Sequence, residues 1–172
     1  MKVIGIVGLK NSGKTFFAQK IISGLTSREF EVASIKHAHD GFEIDHPQTD
    51  SFLHRKAGAK EVIISSSKRW AKITEIKNKD EKKLNELLKE VQNADIVIVE
   101  GYKNDIHPKI EIIKNSLDKS DFLFNKLKNV IAVISEQKID LCEKKQFKKN
   151  EINEIIEFII NYNDKQESYN KR

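Results

Sequence analysis

Gly8-Leu9-Lys10-Asn11-Ser12-Gly13-Lys14-Thr15 carries the spacing G-x-x-x-x-G-K-T, directly behind the apolar residues Val3, Ile4, Ile6 and Val7. Glycines at both ends of such a segment let the backbone wrap closely around a phosphate, with successive N–H groups turned inward. Lys14 then brings positive charge toward the β- and γ-phosphates, and the Thr15 hydroxyl is placed to ligate Mg²⁺. Thr15 should also stand at the start of a helix whose positive dipole end faces the same anion. The pattern needs a strand before it and a helix after it. Phe17, Ile21, Ile22 and Leu25 supply the helical spacing. The plain alternative is a strand-to-helix turn that leaves Lys14 in solvent.

A second acidic and polar group follows from the rule that ligands of parallel sheets lie at the carboxyl ends of strands. Glu100-Gly101-Tyr102-Lys103 comes directly after the apolar run Ile96 to Val99, so Glu100 lies at the ligand end. Asp95 begins the same strand, about 16 Å away along an extended chain. Glu100 is therefore the candidate to hold a metal-bound water or to orient a hydrolytic one; capping the turn at Gly101 is the alternative. Lys14 and Glu100 are the candidate catalytic pair, and Thr15 with Glu100 the candidate metal pair. His37, His39, Asp40 and Asp45 crowd the loop that leaves the second strand. A phosphate role for the histidines and a Mg²⁺-water role for Asp40 or Asp45 are favoured over a transition-metal site at His37-x-His39. His54-Arg55-Lys56 sits on a short helix, either in solvent or against an anion. Lys103, His107 and Lys109 are expected in solvent, with contact to an anionic ligand as the alternative.

The chain has 172 residues, enough for one domain with a sizeable core, taken as 1–162 with a frayed polar tail at 163–172. No apolar run reaches membrane-span length and no leader pattern precedes the first strand, so the expected location is the cytoplasm, without membrane contact. The single cysteine, Cys142, excludes an internal disulfide and a multi-cysteine zinc site. Net charge is +5, but the lysines are mixed with acidic neighbours, as in Lys79-Asp80-Glu81-Lys82-Lys83, which reads as a solvated face. The small cluster Lys68-Arg69-Trp70 could stack a base, and a strand-edge anchor is as good an account of it. No nucleic-acid partner is expected.

The remaining elements alternate. Val32 to Lys36 reads as a strand, Ser51 to Ala57 as a helix capped by Asp50 or Ser51 and ended at Gly58. Glu61 to Ser65 and Trp70 to Ile76 read as two strands joined by a turn at Ser66 to Arg69. Leu84, Leu87, Leu88 and Val91 place a helix over Lys82 to Gln92. Ile96 to Val99 and Val130 to Ile134 are buried strands, Lys109 to Ile113 another. Ile152, Ile155, Ile156 and Ile159 mark a last helix capped by Asn150. This is an α/β layered sheet, mostly parallel, with helices on both faces and an added antiparallel strand pair.

With these residues in place the chain resembles the MobB family, the molybdopterin-guanine dinucleotide biosynthesis adaptor proteins of the P-loop NTPase superfamily. The likeness rests on G-L-K-N-S-G-K-T at Gly8 to Thr15 and I-K-H-A-H-D-G-F-E-I-D-H-P at Ile35 to Pro47. It continues through T-D-S-F-L-H-R-K-A-G-A at Thr49 to Ala59, S-K-R-W-A at Ser67 to Ala71, V-E-G-Y-K at Val99 to Lys103 and H-P-K-I-E-I at His107 to Ile112. The resemblance implies a P-loop homodimer that binds GTP with Mg²⁺, hydrolyses it weakly and assists the MobA nucleotidyltransferase. That enzyme attaches GMP to molybdenum-molybdopterin, so the molybdopterin cofactor is a further candidate ligand. By the same resemblance Gly8, Leu9, Lys10, Asn11, Ser12, Gly13, Lys14 and Thr15 hold the phosphates, Thr15 and Glu100 organise the metal, and the His37 to Asp50 loop, with His37 and Asp45, lies over the nucleotide. Guanine is implied by the resemblance alone, because Asn78-Lys79-Asp80-Glu81 misses the N-K-x-D base-reading pattern.

Two other classes compete. A small-molecule kinase should carry an arginine-bearing lid, yet Arg28, Arg55, Arg69 and Arg172 are the only arginines and none lies in a lid-like segment. Slow hydrolysis fits the lack of an obvious arginine finger in cis, although Arg55 or Arg69 could act across a dimer. A structural module with a vestigial loop is at odds with the intact Lys14-Thr15 pair.

Overall fold

Short runs of isoleucine and valine, buried on both faces, build a parallel sheet here. The computed structural model describes residues 1–38, 41–76, 81–114, 119–140 and 142–163. Its elements are β1 (Lys2–Val7), α1 (Lys14–Thr26), β2 (Val32–Lys36), α2 (Asp50–Lys56), β3 (Glu61–Ser65), β4 (Trp70–Thr74), α3 (Leu84–Glu90), β5 (Ile96–Glu100) and β6 (Lys109–Ile112). Two 3₁₀ turns follow (Lys119–Asp121 and Leu123–Asn125), then β7 (Val130–Ser135), β8 (Lys145–Lys148) and α4 (Ile152–Asn161). Residues 164–172, most of the expected tail, lie outside the described residues.

The contacts divide the chain into two compact units, Met1–His37 with Leu84–Arg172, and Ala38–Lys83. In the first, six strands run in the order β2-β5-β1-β6-β7-β8, and every pairing is parallel. Alternation sorts the side chains. Ile4, Ile6, Ile96, Ile98, Ile110 and Ile112 face α1 and α4, with Phe17, Ile21, Leu25, Ile155, Ile156 and Ile159 packed against them. Val3, Val97 and Val99 point the other way, onto Leu84 and Leu88 of α3. A third cluster of Ile113, Phe122, Val130 and Val133 includes the half-buried Cys142 at its margin. The Lys2 ammonium donates to the carbonyls of Ile159 and Ile160 at 2.8 and 2.6 Å, closing the carboxyl end of α4.

Three sequence expectations change. α4 is preceded by Glu151, not capped by Asn150, and Glu151 instead accepts the Lys148 N–H at 2.9 Å. α2 is preceded by Thr49 rather than capped by Asp50 or Ser51. β8 was not expected, since only Phe147 of its four residues is buried; Gln146 fixes it by bonding the Ile139 backbone N–H and carbonyl at 2.8 and 3.0 Å.

The larger correction concerns β6. His107 and Lys109 are fully buried rather than solvated, as is Glu111. The Lys109 ammonium donates to the carbonyls of Asp105, His107 (2.7 Å) and Lys128 (3.1 Å). Burial lowers its pKa to about 8, so it stays charged at neutral pH. Glu111 accepts the N–H groups of Leu123 and Phe124 at 2.9 and 2.8 Å, while burial raises its pKa. His107 lies where a side chain on Gly5 would collide with it, and neither ring nitrogen has a hydrogen-bond partner.

The second unit is a hairpin and a helix. β3 and β4 pair antiparallel from Glu61↔Thr74 to Ser65↔Trp70, and the Ser66 hydroxyl accepts the N–H groups of Lys68 and Arg69 at 3.3 and 3.2 Å to close the turn. Among its described residues only Val62 is a buried apolar side chain. Phe42, Ile44, Leu53, Ile63, Ile64, Trp70 and Ile76 are exposed.

Burial and the neighbouring Lys109 charge lower the His107 pKa from 6.5 to about 3. Between those values the unfolded chain takes up a proton that the folded chain refuses, so stability falls as pH drops below about 6.5. The unfolding free energy of the wild type, from urea titrations, should decline by about 1.4 kcal/mol per pH unit toward pH 5, and His107→Leu should flatten that slope. Equal slopes in both proteins would remove this role.

Candidate functional site

β1 ends at Val7, and the chain turns through Gly8–Gly13 into α1. A Cβ on Gly8 would meet the Ile112 carbonyl and the Ser12 hydroxyl, each at 2.5 Å, so the backbone here passes closer to its neighbours than any side chain permits. Asn11 takes φ 62°, and Gly13 enters the helix in the left-handed region. No side chain caps α1 and its first turn carries no acid. Its leading N–H groups therefore lack the side-chain acceptor that most helix starts have. The Ser12 hydroxyl is buried with no hydrogen-bond partner. Lys14 is folded back onto the loop, donating to the Leu9 carbonyl at 2.8 Å.

Glu100 is the last residue of β5, and the sheet register sets it opposite Ile6 on one side and Lys36 on the other. Its Oε1 accepts the Thr15 hydroxyl at 3.0 Å, and the Lys36 ammonium lies 4.0 Å from the same oxygen. Thr15 and Glu100, 85 positions apart in sequence, thus meet at the carboxyl edge of the sheet. Lys14 belongs to the same electrostatic group. Its pKa is lowered by burial, raised by Glu100 and lowered again by Lys36. Asp95 stands at the far end of β5, where its carboxylate accepts the Glu31 N–H at 2.9 Å.

Gly101 turns the chain immediately after Glu100, with φ 104° and a hypothetical Cβ only 2.5 Å from the His37 Cβ. That close approach seats His37 beside β5. Its N–H donates to the Glu100 carbonyl at 2.8 Å, and its ring stacks on Tyr102 with centroids 4.5 Å apart. His37 follows β2, two strands away from β1. His39 and Asp40 lie outside the described residues, as do Asn78, Lys79 and Asp80 of the near-miss base-reading stretch. Among the described residues, no group of three or more His, Cys, Asp or Glu side chains is gathered to hold a metal ion.

Asp45 belongs to the second unit, where both its carboxylate oxygens are taken by Arg55 at 3.0 and 2.7 Å. Glu75 engages the third guanidinium nitrogen at 2.5 Å. Arg55 is thus largely shielded from solvent, between two carboxylates of its own chain. Its hydrogen bonds hold the Asp45 carboxyl below the usual range, while Asp45 first and Glu75 second raise the guanidinium pKa. Sequence spacing gave no warning of this triad. Lys36 was likewise missed as a site residue; its only signal is a cation at the end of a strand that pairs with β5.

The family profile described as molybdopterin guanine dinucleotide synthesis protein B matches residues 3–136. A molybdopterin-guanine dinucleotide biosynthesis adapter protein of Escherichia coli is 28% identical over 166 residues, covering 95% of this chain and 94% of that one. Its counterpart in Haemophilus influenzae is 31% identical over 162 residues, covering 93% and 88%. The crystal structure of a MobB protein homolog from Bacillus stearothermophilus superposes with a TM-score of 0.72 at 22% identity, covering 94% of this chain and 97% of that one, a likeness of fold.

The Arg55 triad generates a specific expectation for the second unit. Arg55→Met should leave Asp45 and Glu75 without their shared cation, and limited proteolysis should then cut within 41–76 sooner than in the wild type. The six-stranded unit should keep its resistance. Identical digestion patterns would show that the triad does not hold this unit together.

Proposed function

We propose, from the premise that the chain belongs to the MobB family, that it is a GTP-binding adaptor with weak GTP hydrolysis. In this reading it assists a MobA-type nucleotidyltransferase in molybdopterin-guanine dinucleotide biosynthesis, in the cytoplasm. The adaptor role itself follows from the family. One observation supports the nucleotide reading above the others: a buried, unpartnered Ser12 hydroxyl beside an uncapped α1 start. Groups of that kind are ordinarily satisfied, and phosphate oxygens would satisfy them.

The residues present fit a Mg²⁺–nucleotide. Gly8 to Thr15 would hold the phosphates, and Thr15 with Glu100 would hold the metal, whose charge offsets that developing on the phosphate oxygens. Lys14 exchanges the Leu9 carbonyl for a phosphate oxygen, a better acceptor for an ammonium. Thr15 and Glu100 release one another in the same event. With a nucleotide bound, Glu100 would orient the attacking water. Slow turnover fits a sequence with no obvious arginine finger in cis. His37, stacked on Tyr102 and bonded to the Glu100 carbonyl, fixes the outer wall of this edge.

A second copy of the chain completes the reading. The second unit exposes several large apolar side chains, Trp70 and Phe42 foremost, which subunit association would cover. The molybdopterin cofactor and the partner enzyme would be engaged by the dimer.

Calorimetry should detect Mg²⁺-dependent binding of GTP in preference to ATP. Lys14→Ala should weaken that affinity by about 2 kcal/mol or more. Glu100→Gln should retain binding and lose phosphate release; undiminished hydrolysis in that variant would contradict the role given to Glu100.

A further inference from the structure

Lys36 ends β2 directly opposite Glu100, and its ammonium stands 4.0 Å from the carboxylate oxygen that also accepts the Thr15 hydroxyl. The Lys36 side chain is 64% exposed and that of Glu100 16%, so the ammonium stays hydrated while the carboxylate is largely buried. At 4.0 Å, so hydrated an ammonium is not locked to its partner and exchanges easily. Lysine, a point charge on a flexible stem, suits such exchange better than arginine.

We propose that Lys36 is a second phosphate-binding cation, parked on Glu100 in the nucleotide-free chain and transferred to the terminal phosphate of a bound nucleoside triphosphate. The inference rests on the phosphate-binding reading of the Gly8–Thr15 loop. Its logic is electrostatic. A divalent cation and an ammonium compete for one carboxylate oxygen, so metal at Glu100 displaces Lys36. The displaced charge stays at the same sheet edge, because the β2–β5 register fixes the Lys36 backbone beside Glu100. A metal-bound triphosphate still carries more negative charge than Lys14 alone offsets. Lys36 and Lys14 already share one field, each within range of Glu100. Glu100 attends the reacting end of the tail, so the terminal phosphate, rather than the inner ones, is the group that Lys36 reaches.

The test compares a non-hydrolysable GTP analogue with GDP, each with Mg²⁺, by calorimetry on wild type, Lys36→Met, Lys36→Gln and Lys36→Arg. Thermal melting checks that each variant is folded. The neutral variants should bind the triphosphate analogue about tenfold more weakly and GDP within about twofold of wild type, with Lys36→Arg in between. Unchanged affinity for both ligands would overturn the proposal and leave the loop reading intact. Equal weakening toward both would reduce Lys36 to general charge and overturn it as well. A folded wild type that binds neither ligand would instead remove the loop reading, and this proposal with it.

Discussion

The parallel register of β1 against β5 governs this structure. Lys2 faces Ile96 and Ile6 faces Glu100, so the strand that launches the Gly8–Thr15 loop ends beside the carboxylate that meets Thr15. A slip of one residue would turn Ile4 and Ile6 away from α1 and α4 and exchange them with Val3, Gly5 and Val7. Burial on both faces makes that slip costly. The apolar packing under α1 thus fixes, through hydrogen-bonded backbone alone, the separation of two polar side chains distant in sequence. β2 repeats the arrangement on the other side of β5, bringing Lys36 to the same edge.

The opposite solution appears on β6. There the sheet buries Lys109 and Glu111 instead of aliphatic residues, and each carries several hydrogen bonds to backbone groups of adjoining loops. A buried charge left unpaired costs several kcal/mol, so these contacts dictate where the 105–107 and 123–124 segments run. Both side chains hold the scaffold. They sit in H-P-K-I-E-I, a stretch that carries the family resemblance and in which Lys109 reads, from sequence, as solvated.

Legibility followed the physics of each segment. Strands buried on both faces announced themselves as apolar runs, and α1 and α4 as helical stripes, because burial dictates residue type there. The loop read correctly as a strand-to-helix connection because glycine at position 8 answers a steric demand. β8 was invisible, since an edge strand with one buried residue imposes almost no pattern. The pairing of Arg55 with Asp45 and Glu75 was not legible for a different reason. Charged residues look alike in sequence whether they face water or one another, and only tertiary geometry separates the cases. His107 and Lys109 failed in the same way.

The interior position of β1 has a consequence for how the chain is made. Its two sheet partners come from residues 96–100 and 109–112, and Lys2 is held by carbonyls at 159 and 160. β1 is made before both of these partners. During translation Val3 to Val7 stay apolar and unpaired until residues 96–112 have left the ribosome. Pausing between the two would lengthen the interval in which this strand can aggregate.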